Sequence, residues 1–194
     1  MQIGKIVSSN SHVDYACQVH GESEAVPVPR AQDYGFGTFV GIEQEDGGYL
    51  VGIIYDTRLL NPEFGNLGPR LSPREELAVF SPDYLAEKIT LVALMILGSV
   101  DAAGNVQQGV PLVAPRLDAR VRTLTQKEIA DFHRSSTGLC LGYLPMLYAM
   151  NNPLAAHLVI HLIAVLGQLF PHEAARLAVL RSNVAWKSSV EPVG

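Results

Sequence analysis

This chain predicts a mixed fold: a small β-barrel of about six strands, Greek-key-like, followed by an α-helical C-terminal region. Three observations carry that expectation. Short segments of β period punctuated by glycine fill the first third of the sequence, an apolar run and a second hairpin follow over 89–113, and from residue 125 onward the start signals and apolar spacing turn helical. The expected boundaries are a β domain over 1–124 with two short helices inserted around 73–88, a helical region over 125–186, and a frayed tail over 187–194.

The first strands follow from period two. Ile3, Lys5 and Val7 alternate with Gln2, Gly4 and Ile6, and Val13, Tyr15, Cys17 and Val19 share one face of a second strand after a polar turn at 8–11. Gly37 to Gln44 and Tyr49 to Thr57 flank Glu45-Asp46-Gly47-Gly48, where glycine supplies the positive φ that a tight hairpin needs. Gly41 and Gly52 lie inside these strands, as expected at a bulge, a barrel corner or a close backbone approach.

Residues 58–72 are rich in proline and glycine and read as a surface loop. Ser72-Pro73-Arg74-Glu75 and Ser81-Pro82-Asp83 are helix start signals, hence the two short inserted helices. Ile89 to Gly98 is apolar without interruption, as in a strand buried on both faces, and Asp101 to Asn105 forms the turn of a hairpin reaching Val113. Leu117 to Thr123 is the next extended stretch. Thr125-Gln126-Lys127-Glu128 is a capping box opening a helix through about His133.

Composition excludes some function classes. The chain has 194 residues, with 14 Lys+Arg against 19 Asp+Glu for a net charge of −5, and the only basic grouping is Arg116, Arg120 and Arg122. Generic binding to a phosphate backbone is disfavoured. The two cysteines, Cys17 and Cys140, are far apart with no CxxC, and no basic-then-apolar leader opens the sequence, so a reducing, cytoplasmic setting is expected.

The order of the β segments resembles the HAS barrel, the front domain of HerA-type DNA-translocating ATPases and of the ATP synthase α and β subunits. The likeness rests on Ile3-Gly4-Lys5-Ile6-Val7, Gly35-Phe36-Gly37-Thr38-Phe39-Val40, Gly52-Ile53-Ile54, and Ile96-Leu97-Gly98 followed by Val110-Pro111. Pro115-Arg116-Leu117 and Val121-Arg122-Thr123-Leu124-Thr125 leading to Glu128 are similar to the family's exit from the barrel. The likeness spans roughly residues 1–135. A complete family member continues into a nucleotide-binding domain, whereas no Gly-x-x-x-x-Gly-Lys-[Ser/Thr] occurs here and Gly138 to Gly142 runs into helix. The resemblance therefore implies only the barrel's own role, a collar between ring subunits and a dock for partners, without ATP hydrolysis.

The last third has its own signature. No Asp, Glu, Lys or Arg occurs from Ser135 to Pro171, and Pro153 to Phe170 is nearly long enough to cross a bilayer core of ~30 Å. His157, His161, Gln168, a proline at each end and the lack of a basic flank argue instead for a central helix or an oligomer interface. Peripheral membrane contact over 153–170 is the alternative. A second, amphipathic helix is expected from His172 to about Ser182, with Ala175, Leu177, Val179 and Leu180 packing.

Candidate chemistry is sparse. His157 and His161, at i and i+4, share a helix face as two metal ligands would, but Leu158 stands where the zincin motif needs Glu, and packing at a helix seam explains both. Cys17 with His12 or His20 would make a nucleophile and base, yet strand alternation explains Cys17 as an inward residue. Asp14, Glu43, Glu45 and Asp46 read as solvated carboxylates. Arg116, Arg120 and Arg122 form the best candidate partner or anion patch, with Arg120 and Arg122 on one strand face. No catalytic residue, cofactor or metal site is assigned. The function expected is a non-enzymatic interaction or assembly module that self-associates or docks on a ring-forming partner. Alternatives are an accessory factor of a HerA-type motor and an enzyme of unrecognised kind with a pocket between barrel and helices.

Overall fold

The computed structural model describes residues 1–21, 24–61, 89–136 and 138–190. Its main sheet contains β1 (Gln2–Ser9), β2 (Asp14–Val19), β3 (Phe39–Glu43), β4 (Tyr49–Leu60), β5 (Ile89–Val100), β6 (Val106–Gln108) and β7 (Arg120–Thr123), and a separate two-residue ladder pairs Arg134–Ser135 with Gly138–Leu139. The neighbour order is β2-β1-β7-β3-β4-β5-β6, and β2 also pairs with β5, so six antiparallel strands close into a barrel. β6 pairs with Gly98 to Val100 of β5, beyond the stretch that β2 occupies. The expected loop over 58–72 begins later than its composition suggests, because β4 continues to Leu60 in register with Ile89 to Leu91 of β5; its remainder over 62–72 and the two helices around 73–88 lie outside the described residues.

Alternation builds two cores from one sheet. Inside the barrel lie Ile6, Tyr15, Cys17, Ile42, Leu94 and Val121, among others. Facing out from β3, β4 and β5 are Phe39, Val51, Ile53, Met95 and Leu97, which pack on the helices. β5 serves both cores, with Val92, Leu94 and Ile96 inside and Met95 and Leu97 outside, which is why its sequence is apolar without a break.

The β3–β4 hairpin forms as expected, with Gly47 at φ 84° in its turn and an unbroken register, while β4 shifts register against β5 between Val51 and Gly52. Strict alternation fails in β1. Both Ile3 and Ile6 are buried in the barrel, because the register shifts between Gln2 and Gly4 against β7 and between Ile6 and Ser8 against β2. Gly4 makes that close passage feasible, since a Cβ there would strike the Gln18 carbonyl of β2.

Four helices follow: α1 (Gln126–His133), α2 (Leu144–Tyr148), α3 (Ala155–Leu169) and α4 (Ala174–Val190). The capping box that opens α1 is complete, with Thr125 Oγ1 accepting from Glu128 N–H and Glu128 Oε2 accepting from Thr125 N–H. Leu158, Val159, Leu162, Ile163 and Leu166 of α3 are buried in the core that the helices share with the barrel's outer face, each contributing roughly 2 kcal/mol of apolar burial. His157, His161 and Gln168 lie on its exposed side. The charge-free stretch is thus used largely within the chain, and no helix among the described residues is long and apolar enough to cross a membrane.

α4 corrects the expected end of the helical region. It runs to Val190 rather than stopping near Ser182, because no proline or glycine interrupts 183–190 and Val184 is buried in the helical core. Leu177 is also buried and Leu180 partly so, whereas Val179 and Ala175 face out. The frayed tail expected from 187 is helical to Val190.

Candidate functional site

The barrel and helices are joined by a buried polar seam. His133, at the C-terminal end of α1, is completely buried; its Nδ1–H donates to Ile129 O at 2.7 Å and its Nε2 accepts from Tyr143 Oη at 2.6 Å. Phe39 and Phe132 meet the imidazole edge to face. Burial pushes the His133 pKa down to about 4, against the opposing pull of the Ile129 carbonyl, and burial also raises that of Tyr143. Both imidazole nitrogens are satisfied in the neutral form. Gln108, at the end of β6, completes the seam: its Nε2 donates to Phe132 O and Cys140 O, and its Oε1 accepts from Gly142 N–H. This arrangement fixes the 138–142 segment on the barrel.

The three arginines do not converge. Arg120 and Arg122 share a face of β7, as alternation requires, but Arg122 Nη2 donates to Glu128 Oε1 at 2.7 Å and its guanidinium lies 5.1 Å over the Tyr49 ring. Desolvation raises the Glu128 pKa, yet the bonds from Arg122 and Thr125 outweigh it and bring the value to about 2. Arg116 pairs with Glu45 across to the β3–β4 turn. Arg120 makes no ion pair with any described residue, and it lines a groove of about 270 Å³ with Glu43, Gln44, Glu45, Arg116 and Asp118. The groove carries both signs of charge, so the patch is no simple anion site.

Other sequence candidates are also dispersed. His161 packs on Gly37 and stands edge-on to Phe36. No group of three or more His, Cys, Asp or Glu among the described residues is placed to hold a metal ion. Cys17 is enclosed in the barrel, where burial raises its pKa to about 12, while His12 Nε2 donates to Pro111 O and His20 Nε2 accepts from Gln2. No nucleophile and base meet there. Asp14 accepts from Tyr55 Oη, and Asp46 accepts from Gly48 N–H within the hairpin turn.

Two surface features went unread in the sequence. The first is the loop between β6 and β7. Pro111, Pro115 and Ala119 are buried and pin it to the barrel, while Val110, Leu112, Val113 and Leu117 are exposed, Leu112 at 86%. The spacing of the anchors turns the apolar side chains between them toward solvent. The second is an open cleft of about 400 Å³ on the helical side, between the Leu139–Gly142 segment and α4, lined by Cys140, Leu141, Leu144, Arg176 and Leu180 among others. Arg176 Nη1 donates to Leu139 O, and Glu173 Oε1 accepts from Leu139 N–H.

The described residues thus define a class: a closed antiparallel barrel whose outer face on one side carries a helical layer, and whose rim presents an apolar loop. The chain belongs to the family described as a domain of unknown function, DUF8166, whose profile matches residues 1–193. A search of curated proteins gives no match.

Proposed function

We propose that this protein is a non-catalytic interaction and assembly module, cytoplasmic in setting, that self-associates or docks on a ring-forming partner through the barrel rim. The observation that carries this reading is the β6–β7 loop. Leu112, Val113 and Leu117 are held outward by a backbone anchored at Pro111, Pro115 and Ala119, and by the His12 bond to Pro111 O. Leaving apolar side chains in water gains nothing for a monomer, whereas burying them in an interface stabilises association by roughly 25 cal/mol per Å². The resemblance of the sequence's β segments to those of HAS barrels supports a collar role, and the absence of a phosphate loop from the sequence agrees with a part that assembles rather than hydrolyses.

Native mass by size-exclusion chromatography with light scattering tests it. A discrete oligomer that falls to monomer in Leu112→Asp/Leu117→Asp, with melting temperature unchanged, is the expected result. An oligomer indifferent to the double variant would move the interface elsewhere. A wild-type monomer would discard self-association and leave only docking on a different chain.

A further inference from the structure

The cleft beside α4 combines features that the assembly reading does not use. Its volume, about 400 Å³, lies within the range of small-molecule sites, roughly 300–1,000 Å³. One wall is apolar, formed by Leu141 and Leu144 from the segment that Gln108 fixes and by Leu180 from α4. Arg176 stands one turn before Leu180 on α4; it spends one Nη1 donor on Leu139 O, and its side chain is 55% exposed. The other guanidinium donors make no hydrogen bond to a described residue, so they are available in the fork geometry that matches a carboxylate. Glu173 lies 3.8 Å from the same guanidinium and partly offsets its charge, which disfavours a ligand with two negative charges.

We propose that this cleft binds a small amphipathic monocarboxylate, with the carboxylate on Arg176 and the hydrocarbon along Leu141, Leu144 and Leu180. Shape and charge agree on that class. A bare inorganic anion would leave the leucine wall wet, and a neutral apolar molecule would leave the guanidinium donors unmatched. With one charged contact and a partly open apolar wall, the dissociation constant is on the order of 1 mM.

Cys140 makes the test direct, since its half-buried free thiol lines the cleft while Cys17 is sealed in the barrel. The rate of Cys140 alkylation by iodoacetamide would be measured on the full chain with octanoate as the probe. Bound octanoate shields the thiol, so about 5 mM should slow the reaction about sixfold for a constant near 1 mM. 1-Octanol and inorganic phosphate should protect much less. Arg176→Gln should abolish protection, and Leu180→Asn, which puts an uncharged polar group in the apolar wall, should weaken it strongly. Equal melting temperatures and equal ligand-free alkylation rates would certify both variants as folded. No protection by octanoate at about 20 mM, twentyfold above the expected constant, would overturn the proposal. Equal protection by 1-octanol or by phosphate, or protection surviving in a folded Arg176→Gln, would overturn it as well.

Discussion

Acidification should weaken this protein well before its carboxylates protonate, and His133 sets the window. In the folded chain the imidazole is neutral, its Nδ1–H donating a hydrogen bond to Ile129 O and its Nε2 accepting one from Tyr143 Oη. A second proton, on Nε2, would put a charge between Phe39 and Phe132 and would turn the Tyr143 hydroxyl into an acceptor whose own proton then needs a new partner in a buried site. Burial accordingly holds the folded pKa at about 4, whereas an exposed histidine titrates near 6.5. Between those values the unfolded chain binds the proton and the folded chain does not, so stability rises with pH across the window. The contribution is complete above about pH 6.5 and lost progressively down to about pH 4, and it amounts to about 3 kcal/mol. For a domain with a typical 5–15 kcal/mol in hand, such a loss is a large share. Urea denaturation of wild type and His133→Gln at pH 7.5, 6.5, 5.5 and 4.5 isolates the effect, since the two proteins differ only at that residue. The variant should start less stable at pH 7.5 and lose much less on acidification. Parallel decline of the two curves between pH 6.5 and 4.5 would refute the assignment.

Two further outcomes follow from packing and from burial. Gly37 sits at φ 80° and a Cβ there would collide with His161 Cδ2, so Gly37→Ala should cost about 2–4 kcal/mol; adding His161→Ala should recover the steric part, and strictly additive effects by denaturation would show that the barrel loop and α3 do not touch. Native protein treated with excess iodoacetamide should gain a single adduct quickly, at Cys140, because Cys17 is enclosed and its thiol pKa is raised to about 12; mass spectrometry showing rapid modification of both would contradict the closed barrel.

Much of the fold was legible where local chemistry decides. The β3–β4 hairpin was announced by glycine at a turn, and the start of α1 by the reciprocal Thr125 and Glu128 caps, both settled within a few residues. β1 was misjudged because its bulges depend on β7 and β2, which no local period contains. α4 was cut short and its packing face misplaced at Val179, because a uniformly helix-compatible sequence gives no stop and the buried positions are chosen by what it meets. The site was less readable still. Alternation correctly put Arg120 and Arg122 on one face, but it could not show that Glu128 and Tyr49 claim Arg122 and that Glu45 claims Arg116. The His133–Tyr143 pair lies in two different elements, one of them a helix end, and no motif marks it. In the β6–β7 loop the prolines at 111 and 115 were visible, yet only the fold shows that they are anchors.

The position of β7 has a consequence for synthesis. Gly4 pairs with Val121, and Ile42 pairs with that same Val121 from the other side, so β7 is the stave that joins the first strand to the third. A nascent chain leaving the ribosome can form its two hairpins early, but the ring of hydrogen bonds cannot shut until Thr123 has emerged. Until then β1 and β3 each offer an unpaired edge to any neighbouring chain. The interval between translating β3 and β7 is therefore the period in which these two edges stand open.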